Sequence, residues 1–189
     1  MVTSLPNLLT LSRIVVIPLL VGTFYLVGPL WHWVACALFA LAAVTDYFDG
    51  YLARRQNIVS SFGRFLDPIA DKLLVAAVLL MLTGFDRLGQ WSVLPALVIL
   101  LREILVSGLR EYLAELRVGL PVSRLAKWKT AIQMAALTAL LVGDAAPPWL
   151  PTQSVGVLCL WLAAVLTLIT GWDYLRAGLT HMTGSQNGV

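Results

Sequence analysis

The stretch DYFDGYLARRQNIVSSFGRFLDPIADK, residues 46–72, places four carboxylates between two long apolar runs. Charged side chains are costly beside hydrocarbon, so their presence there points to a function. On helices, Asp46 and Asp49 share one face because they stand three residues apart, and Asp67 and Asp71 share another because they stand four apart. If the chain turns back between the two pairs, they meet in one cluster. Four carboxylates repel one another unless cations lie among them, so the stretch predicts a metal site.

The composition of this stretch indicates which metals would bind. No Cys or His lies near the four acids, and an oxygen-only site suits Mg²⁺, Mn²⁺ or Ca²⁺ rather than zinc or copper. Two such ions together can clamp the attacking and leaving oxygens of a phosphoryl group. The alternative is that the acids form buried salt bridges with Arg54, Arg64 and Lys72, although such bridges rarely stabilise a fold more than apolar packing would.

Small residues continue the face that carries the first acidic pair. Gly50 and Ala53 remove side-chain bulk there, and Arg54 offers a fork of donors suited to a diphosphate. This face could therefore accommodate a nucleotide.

The whole chain has the composition of an integral membrane protein. Its 189 residues are 59% hydrophobic and 12% charged, and the mean hydropathy is +0.85. We predict an all-α, six-transmembrane-helix bundle that forms a single transmembrane catalytic domain, residues 1–189. The predicted spans are about residues 8–28, 31–54, 63–83, 91–117, 123–143 and 153–176. No P-loop or dinucleotide glycine pattern occurs, so a soluble nucleotide fold is not expected.

The distribution of basic residues predicts the orientation in the membrane. The links after spans one, three and five offer only Arg87. The links after spans two and four hold Arg54, Arg55, Arg64, Arg117, Arg124, Lys127 and Lys129. Positive residues favour the cytoplasmic side, so the carboxylates and both termini are expected there.

A polar stripe lies at the start of span one. Asn7, Thr10 and Arg13 fall three residues apart and would share one helix face. The stripe could face the bundle, or it could be a capped helix end with an Arg side chain that reaches to the interface.

Further basic groups lie in spans four and five. Arg110, Lys127 and Lys129 are at the ends of these spans on the basic side, and Arg102 lies deeper beside Glu103. They could form a pocket for an anion such as a phosphate. Alternatively, Lys127 and Lys129 anchor the protein to anionic headgroups, and Arg102 pairs with Glu103.

The pattern Asp46-x2-Asp49-Gly50-x2-Ala53-Arg54-x8-Gly63-x3-Asp67-x3-Asp71 resembles the complete signature of the CDP-alcohol phosphotransferase family. The resemblance implies six transmembrane helices, a homodimer, and two divalent cations, Mg²⁺ or Mn²⁺, on the four carboxylates. Asp71 would also take the proton of the acceptor hydroxyl. The expected CDP contacts are Asp49, Gly50, Ala53, Arg54 and Gly63, together with Asn7 and Thr10.

Three other segments extend the resemblance over most of the chain. They are PNLLTLSR at 6–13, REI at 102–104 with SGLRE at 107–111, and KWKT at 127–130 with Gln133 and Met134. These segments resemble the bacterial members of the family that join CDP-diacylglycerol to glycerol 3-phosphate at the cytoplasmic face of the inner membrane. Ala126 stands where such members have Gly, and it adds only a methyl group. Glycerol 3-phosphate carries a dianionic phosphate, and Arg102, Arg110, Lys127 and Lys129 are by charge and position the candidates to bind it. The expected partners are the two substrates, the lipid bilayer and a second copy of the chain, with no nucleic acid.

Two other functions fit part of the pattern. A family member could use inositol phosphate, serine or phosphatidylglycerol as its acceptor. A metal-ion transporter would also place carboxylates in a helical bundle, but more naturally on broken helices near the midplane, and it would not explain Gly50, Ala53 and Arg54.

Overall fold

The computed structural model describes residues 5–56, 61–115 and 124–184. These residues form six α-helices and no strand: α1 is Leu5–Thr23, α2 Pro29–Gln56, α3 Ser61–Gly84, α4 Val93–Glu115, α5 Arg124–Val142 and α6 Thr152–Gly184. Short 3-10 helices, Gln90–Ser92 and Gly143–Ala145, precede α4 and follow α5. The described side chains exclude those of residues 5–9, 46–56, 61–65, 67, 115, 177 and 179–184.

The first helix ends earlier than the apolar run that predicts it. The Thr23 hydroxyl donates a 2.6 Å hydrogen bond to the Leu20 carbonyl, and the backbone leaves the helix through i→i−3 hydrogen bonds. Gly28 then adopts a φ of +118°, a conformation that favours glycine. Phe24 is buried against the connection between α3 and α4, where its ring lies 5.5 Å from that of Phe85, whereas the apolar Val27 is 98% exposed. Hydropathy therefore continues past the end of the helix.

The interior of the bundle is apolar and closely packed. Leu20, Phe39 and Leu137 are fully buried in a core to which all six described helices contribute. Helices α5 and α6 lie especially close together at Gly156. A Cβ atom added there would lie 2.7 Å from Cγ of Leu140. Only glycine permits this approach without a shift of one helix.

Large apolar side chains also cover the outside of the bundle. Leu80, Leu101, Leu158 and Leu168 are all more than half exposed, as expected where lipid replaces water around helices. Within the described ranges, the helical stretches Gln90–Ala114 and Thr152–Arg176 are each long and apolar enough to cross a membrane. Thr10–Thr23 and Pro29–Thr45 are shorter apolar stretches.

Polar contacts tie the connections together at the end of the bundle away from the carboxylates. Gln153 donates a 2.6 Å hydrogen bond to the Arg87 carbonyl, and His32 Nδ1 forms a 3.1 Å hydrogen bond with the Val142 carbonyl. The Arg87 guanidinium lies 4.5 Å from the centre of the Phe24 ring. Since α2 starts at this end and α3 finishes there, their acidic segments are brought to the opposite end.

Candidate functional site

The predicted carboxylate pairs lie on consecutive helices. Asp46 and Asp49 are in the C-terminal part of α2, and Asp67 and Asp71 are in the first half of α3. The side chains of Asp46, Asp49 and Asp67 are outside the described part, so their mutual geometry stays a prediction. Among the described residues, no group of three or more His, Cys, Asp or Glu side chains is arranged to hold a metal.

Most of the predicted CDP contacts also lie outside the described side chains. These are Asn7, Gly50, Ala53, Arg54 and Gly63. Thr10 is described and is buried, as is Arg13 one turn later on α1. Helix α1 packs on α2 and α3. Thr10 and Arg13 therefore face into the bundle, one of the two arrangements that the spacing of the stripe allows, whereas the Asn7 side chain lies outside the described part.

Asp71 lies on the wall of a cavity between α3, α4 and α5, which we call the Lys129 cavity. Its volume is about 240 Å³. The Asp71 side chain is exposed, and Lys129 on the opposite helix interacts with it electrostatically. The polar lining residues are Asp71 and Lys72 from α3, Glu103 and Ser107 from α4, and Lys129, Thr130 and Gln133 from α5.

A second cavity, the Arg110 cavity, adjoins the first between α3 and α4. Its volume is about 380 Å³. Its charged lining residues are Lys72, Arg102, Glu103, Arg110 and Glu111. Lys72, Glu103 and Ser107 line both cavities, so the two form neighbouring parts of one polar region.

Glu103 connects the cations of the two cavities. It accepts hydrogen bonds from Arg102 Nη1 at 3.2 Å and from Lys129 Nζ. The side chains of Lys129 and Glu103 are only 5% and 19% exposed. Two cations therefore share one carboxylate in a largely dehydrated setting, where each charge requires compensation. The predicted Arg102–Glu103 pair is present, and Lys129 joins it.

Helix α6 fixes the other side of Arg102. The Nη2 atom of Arg102 donates a 2.8 Å hydrogen bond to the Thr170 hydroxyl, and the guanidinium lies 5.8 Å from the Tyr174 ring centre. A Cβ atom added at Gly171 would lie 3.1 Å from Arg102 Cγ. Glycine at this position leaves room for the arginine side chain, so α6 determines where its charge is held.

The structure separates the four predicted phosphate-binding residues. Arg102 and Arg110 line the Arg110 cavity, and Lys129 lines the neighbouring one. Lys127 is exposed and is not among the described lining residues of either cavity. On α5, a residue two positions from Lys129 points to a different face.

Lys72 and Gln133 are not among the binding residues that the sequence predicts. The sequence suggests Lys72 only as a salt-bridge partner, but it lines both cavities, and its ammonium donates to the Pro68 carbonyl at 3.1 Å. The helical period contains a signal for Gln133. It follows Lys129 by four residues and therefore shares its face of α5.

Together, these residues place several cations beside a carboxylate in a partly enclosed space. Such an arrangement can bind an anion through charge-assisted hydrogen bonds while a nearby group accepts a proton. No histidine or cysteine is among the described residues that line the two cavities. Metal ions bound beside Asp71 would therefore meet oxygen donors, which hard divalent cations prefer.

The chain is similar to known proteins over most of its length. The family model described as CDP-alcohol phosphatidyltransferase matches residues 3–169. A relative from Rickettsia typhi is 49% identical over 94% of this chain and 98% of its own. Relatives from Pectobacterium atrosepticum and Cereibacter sphaeroides are 44% and 40% identical over 92% and 95% of this chain, and over 94% and 97% of their own. All three are named CDP-diacylglycerol–glycerol-3-phosphate 3-phosphatidyltransferase.

Proposed function

The chain belongs to the CDP-alcohol phosphatidyltransferase family, and from this premise we propose the reaction that it catalyses. It transfers the phosphatidyl group of CDP-diacylglycerol to glycerol 3-phosphate, giving phosphatidylglycerol phosphate and CMP. The observation that carries this proposal is the near full-length similarity, at 49% identity, to a relative named for that reaction. The cation-lined cavities beside Asp71 provide a setting that suits the phosphate of this acceptor.

Asp71 is proposed to act as the base. The acceptor hydroxyl attacks the phosphorus that carries diacylglycerol, its proton passes to the Asp71 carboxylate, and the bond from that phosphorus to the bridging oxygen breaks. CMP leaves with this oxygen. A carboxylate is a weak base, but it need remove the proton only as the new bond forms. The exposed position of Asp71 on the wall of the Lys129 cavity lets an acceptor reach it.

Asp46, Asp49, Asp67 and Asp71 are proposed to hold two divalent cations, Mg²⁺ or Mn²⁺. Their oxygen-only donor set and the absence of histidine and cysteine from the described cavity walls both fit such ions. When bound, the ions neutralise charge on the diphosphate and orient it for in-line displacement.

CDP is proposed to bind on the face of α2 that carries the first acidic pair. Gly50 and Ala53 on this face and Gly63 on α3 leave space for the nucleotide, Arg54 binds the diphosphate, and Asp49 contributes from the same face of α2. Asn7 and Thr10 on α1 complete the site. Thr10 is buried on α1, which packs on α2 and α3, the helices that carry the other assigned contacts.

The acceptor phosphate is proposed to bind between the cations of the two cavities. Arg110 and Lys129 contact it, and Arg102 contributes charge from its position against α6. Lys127 faces away from both cavities, so we assign it to anionic headgroups at the membrane surface.

The protein is proposed to act in the bacterial inner membrane as a homodimer. Six spans, at the positions predicted from hydropathy, would place the active site and both termini on the cytoplasmic side, where water-soluble glycerol 3-phosphate is available. The exposed apolar surface of the helices supports a lipid environment.

An acceptor panel tests this function. Purified protein in detergent or liposomes is supplied with CDP-diacylglycerol and Mg²⁺, and CMP release is measured with glycerol 3-phosphate, inositol phosphate, serine and phosphatidylglycerol. We expect release with glycerol 3-phosphate alone, and none after chelation until Mg²⁺ or Mn²⁺ is restored. Turnover with another acceptor and not with glycerol 3-phosphate would assign the chain to a different branch of the family. Full activity in verified metal-free protein would contradict the two-metal site.

A further inference from the structure

Gln133 is a buried polar residue in the Lys129 cavity that the mechanism above does not use. It is 3% exposed and lines the cavity together with Asp71 and Lys129. Its carboxamide oxygen Oε1 is enclosed and has no hydrogen-bond partner among the residues that the structure describes. Burying an acceptor without a donor is costly, so Gln133 is expected to meet a ligand in this cavity.

The helix directions place Gln133 at the apolar end of the cavity. Helices α3 and α5 run into the bundle from the same end, and α4 runs the opposite way. The lining residues at the level of Gln133 are therefore Val75 and Ala76 on α3, Leu100 on α4 and Met134 on α5. All four are apolar, so Gln133 is the polar group at this level among the described lining residues.

We infer that Gln133 determines acceptor specificity by binding the hydroxyl of glycerol 3-phosphate that does not react. This inference rests on the proposed function. Of the three groups on the acceptor's carbon chain, the reacting hydroxyl is assigned to Asp71 and the phosphate to cations that include Lys129. The central hydroxyl remains, and it needs a polar partner inside the cavity. A hydroxyl both donates and accepts, so it satisfies the amide whichever way the amide is turned.

This arrangement implies discrimination against acceptors that lack the central hydroxyl. An analogue without it leaves the buried amide unpaired, whereas an apolar residue at position 133 has no polar group to satisfy. Sites that hydrogen-bond a substrate hydroxyl reject the analogue lacking it for this reason.

The test compares glycerol 3-phosphate with 3-hydroxypropyl phosphate, which keeps the reacting hydroxyl and the phosphate but lacks the central hydroxyl. We expect the unmodified enzyme to prefer glycerol 3-phosphate by about tenfold in kcat/KM, the size of one buried hydrogen bond. In Gln133→Met, which is similar in length and shape, this preference should fall to about one, mainly through loss of turnover with glycerol 3-phosphate. Gln153→Met is the control: it removes an amide that bonds to Arg87 at the other end of the bundle, and the tenfold preference should remain.

Gln133→Asn provides a second variant should the methionine variant not yield folded protein, and its shorter amide should also reduce the preference. CDP-diacylglycerol binding by each variant verifies the fold. If kcat/KM of Gln133→Met falls by the same factor with both acceptors, or does not fall at all, the preference for glycerol 3-phosphate is unchanged. Such a result, expected if Gln133 only supports packing or binds water, would overturn the inference and leave the proposed function in place. Failure of the unmodified enzyme to use glycerol 3-phosphate at all would instead overturn the proposed function, and this inference with it.

Discussion

Replacing Glu103 by Gln tests whether this residue compensates the two buried cations. Gln keeps the shape of the side chain and can still accept hydrogen bonds, but it removes the negative charge shared by Arg102 and Lys129. Because the Lys129 side chain is 5% exposed and that of Glu103 is 19% exposed, water compensates little of the loss. Removing one partner of a buried ion pair costs about 3 kcal/mol or more. For a chain of this size, that corresponds to a Tm lower by about 6–12 °C.

The assay is a double-mutant cycle in thermal unfolding of the purified protein. Glu103→Gln, Lys129→Met and the double variant are compared at the same detergent and lipid composition. Glu103→Gln leaves Lys129 and Arg102 without their shared carboxylate, and Lys129→Met leaves Glu103 with Arg102 alone. The double variant removes both members of the Lys129–Glu103 pair, so its destabilisation should be smaller than the sum of the two by about 2 kcal/mol. Glu111→Gln is the matched control, since Glu111 is exposed and should change stability by less than about 0.5 kcal/mol.

Additive losses of stability in the two single variants would contradict the coupling between Glu103 and Lys129. If the two single destabilisations sum to that of the double variant, Glu103 and Lys129 do not depend on each other, despite the contact between them. An effect of Glu111→Gln as large as that of Glu103→Gln would show that loss of any acidic charge near the cavities destabilises the protein, irrespective of burial.

Three further predictions, two of them with a control variant, address chemistry and binding. Asp71→Asn should lower kcat by at least about 100-fold because the base is lost, whereas the affinity for CDP-diacylglycerol should change only several-fold. An equally large loss of CDP-diacylglycerol binding in a direct assay would show that Asp71 acts mainly as a metal ligand. Arg110→Ala should raise the KM for glycerol 3-phosphate by about tenfold or more, as expected for a charge-assisted contact, whereas Lys127→Ala should change this KM by less than about twofold. The measurement is initial-rate kinetics with both substrates varied, and equal KM values for the two variants would contradict the assignment. Gly171→Val should lower kcat/KM for glycerol 3-phosphate because the added Cβ would lie 3.1 Å from the Arg102 side chain. Gly22→Val should not, since no atom lies within 4 Å of the Cβ added there. Similar kcat/KM values for the two variants would show that α6 does not position Arg102 for the acceptor.

Some features of the fold are accessible from the sequence because hydrophobicity alone determines them. The all-helical class and the approximate helix positions follow from the length of the apolar runs. The helix ends do not, because local hydrogen bonds and turns determine them. At the end of α1, the Thr23 hydroxyl and Gly28 terminate the helix although Phe24 and its neighbours are still apolar. Phe24 itself is buried because it packs against Phe85 in the α3–α4 connection, a contact distant in sequence.

The candidate site can likewise be predicted from the sequence only in part. The spacing of acids and glycines suffices to predict a metal and nucleotide motif, since each pair lies within one helix. The acceptor cavity depends on contacts between helices, which spacing cannot resolve. Lys127 and Lys129 are equivalent as sequence, but only Lys129 is buried and joined to Glu103. Gln133 shares the face of Lys129, yet without α3 and α4 nothing distinguishes it from an ordinary buried amide.

The charge balance around Glu103 supports a ligand-binding role over a purely structural one. Arg102 and Lys129 both bind the Glu103 carboxylate between helices α4, α5 and α6, and Lys129 also interacts with Asp71. Lys72 and Arg110 add two further cations to the walls of the adjoining cavities. Burial of Lys129 carries a desolvation cost, and an anion that enters the cavities would offset part of it. The Thr170 hydroxyl and the Tyr174 ring hold the Arg102 guanidinium in place meanwhile, so that the positive charge is already positioned before the acceptor arrives.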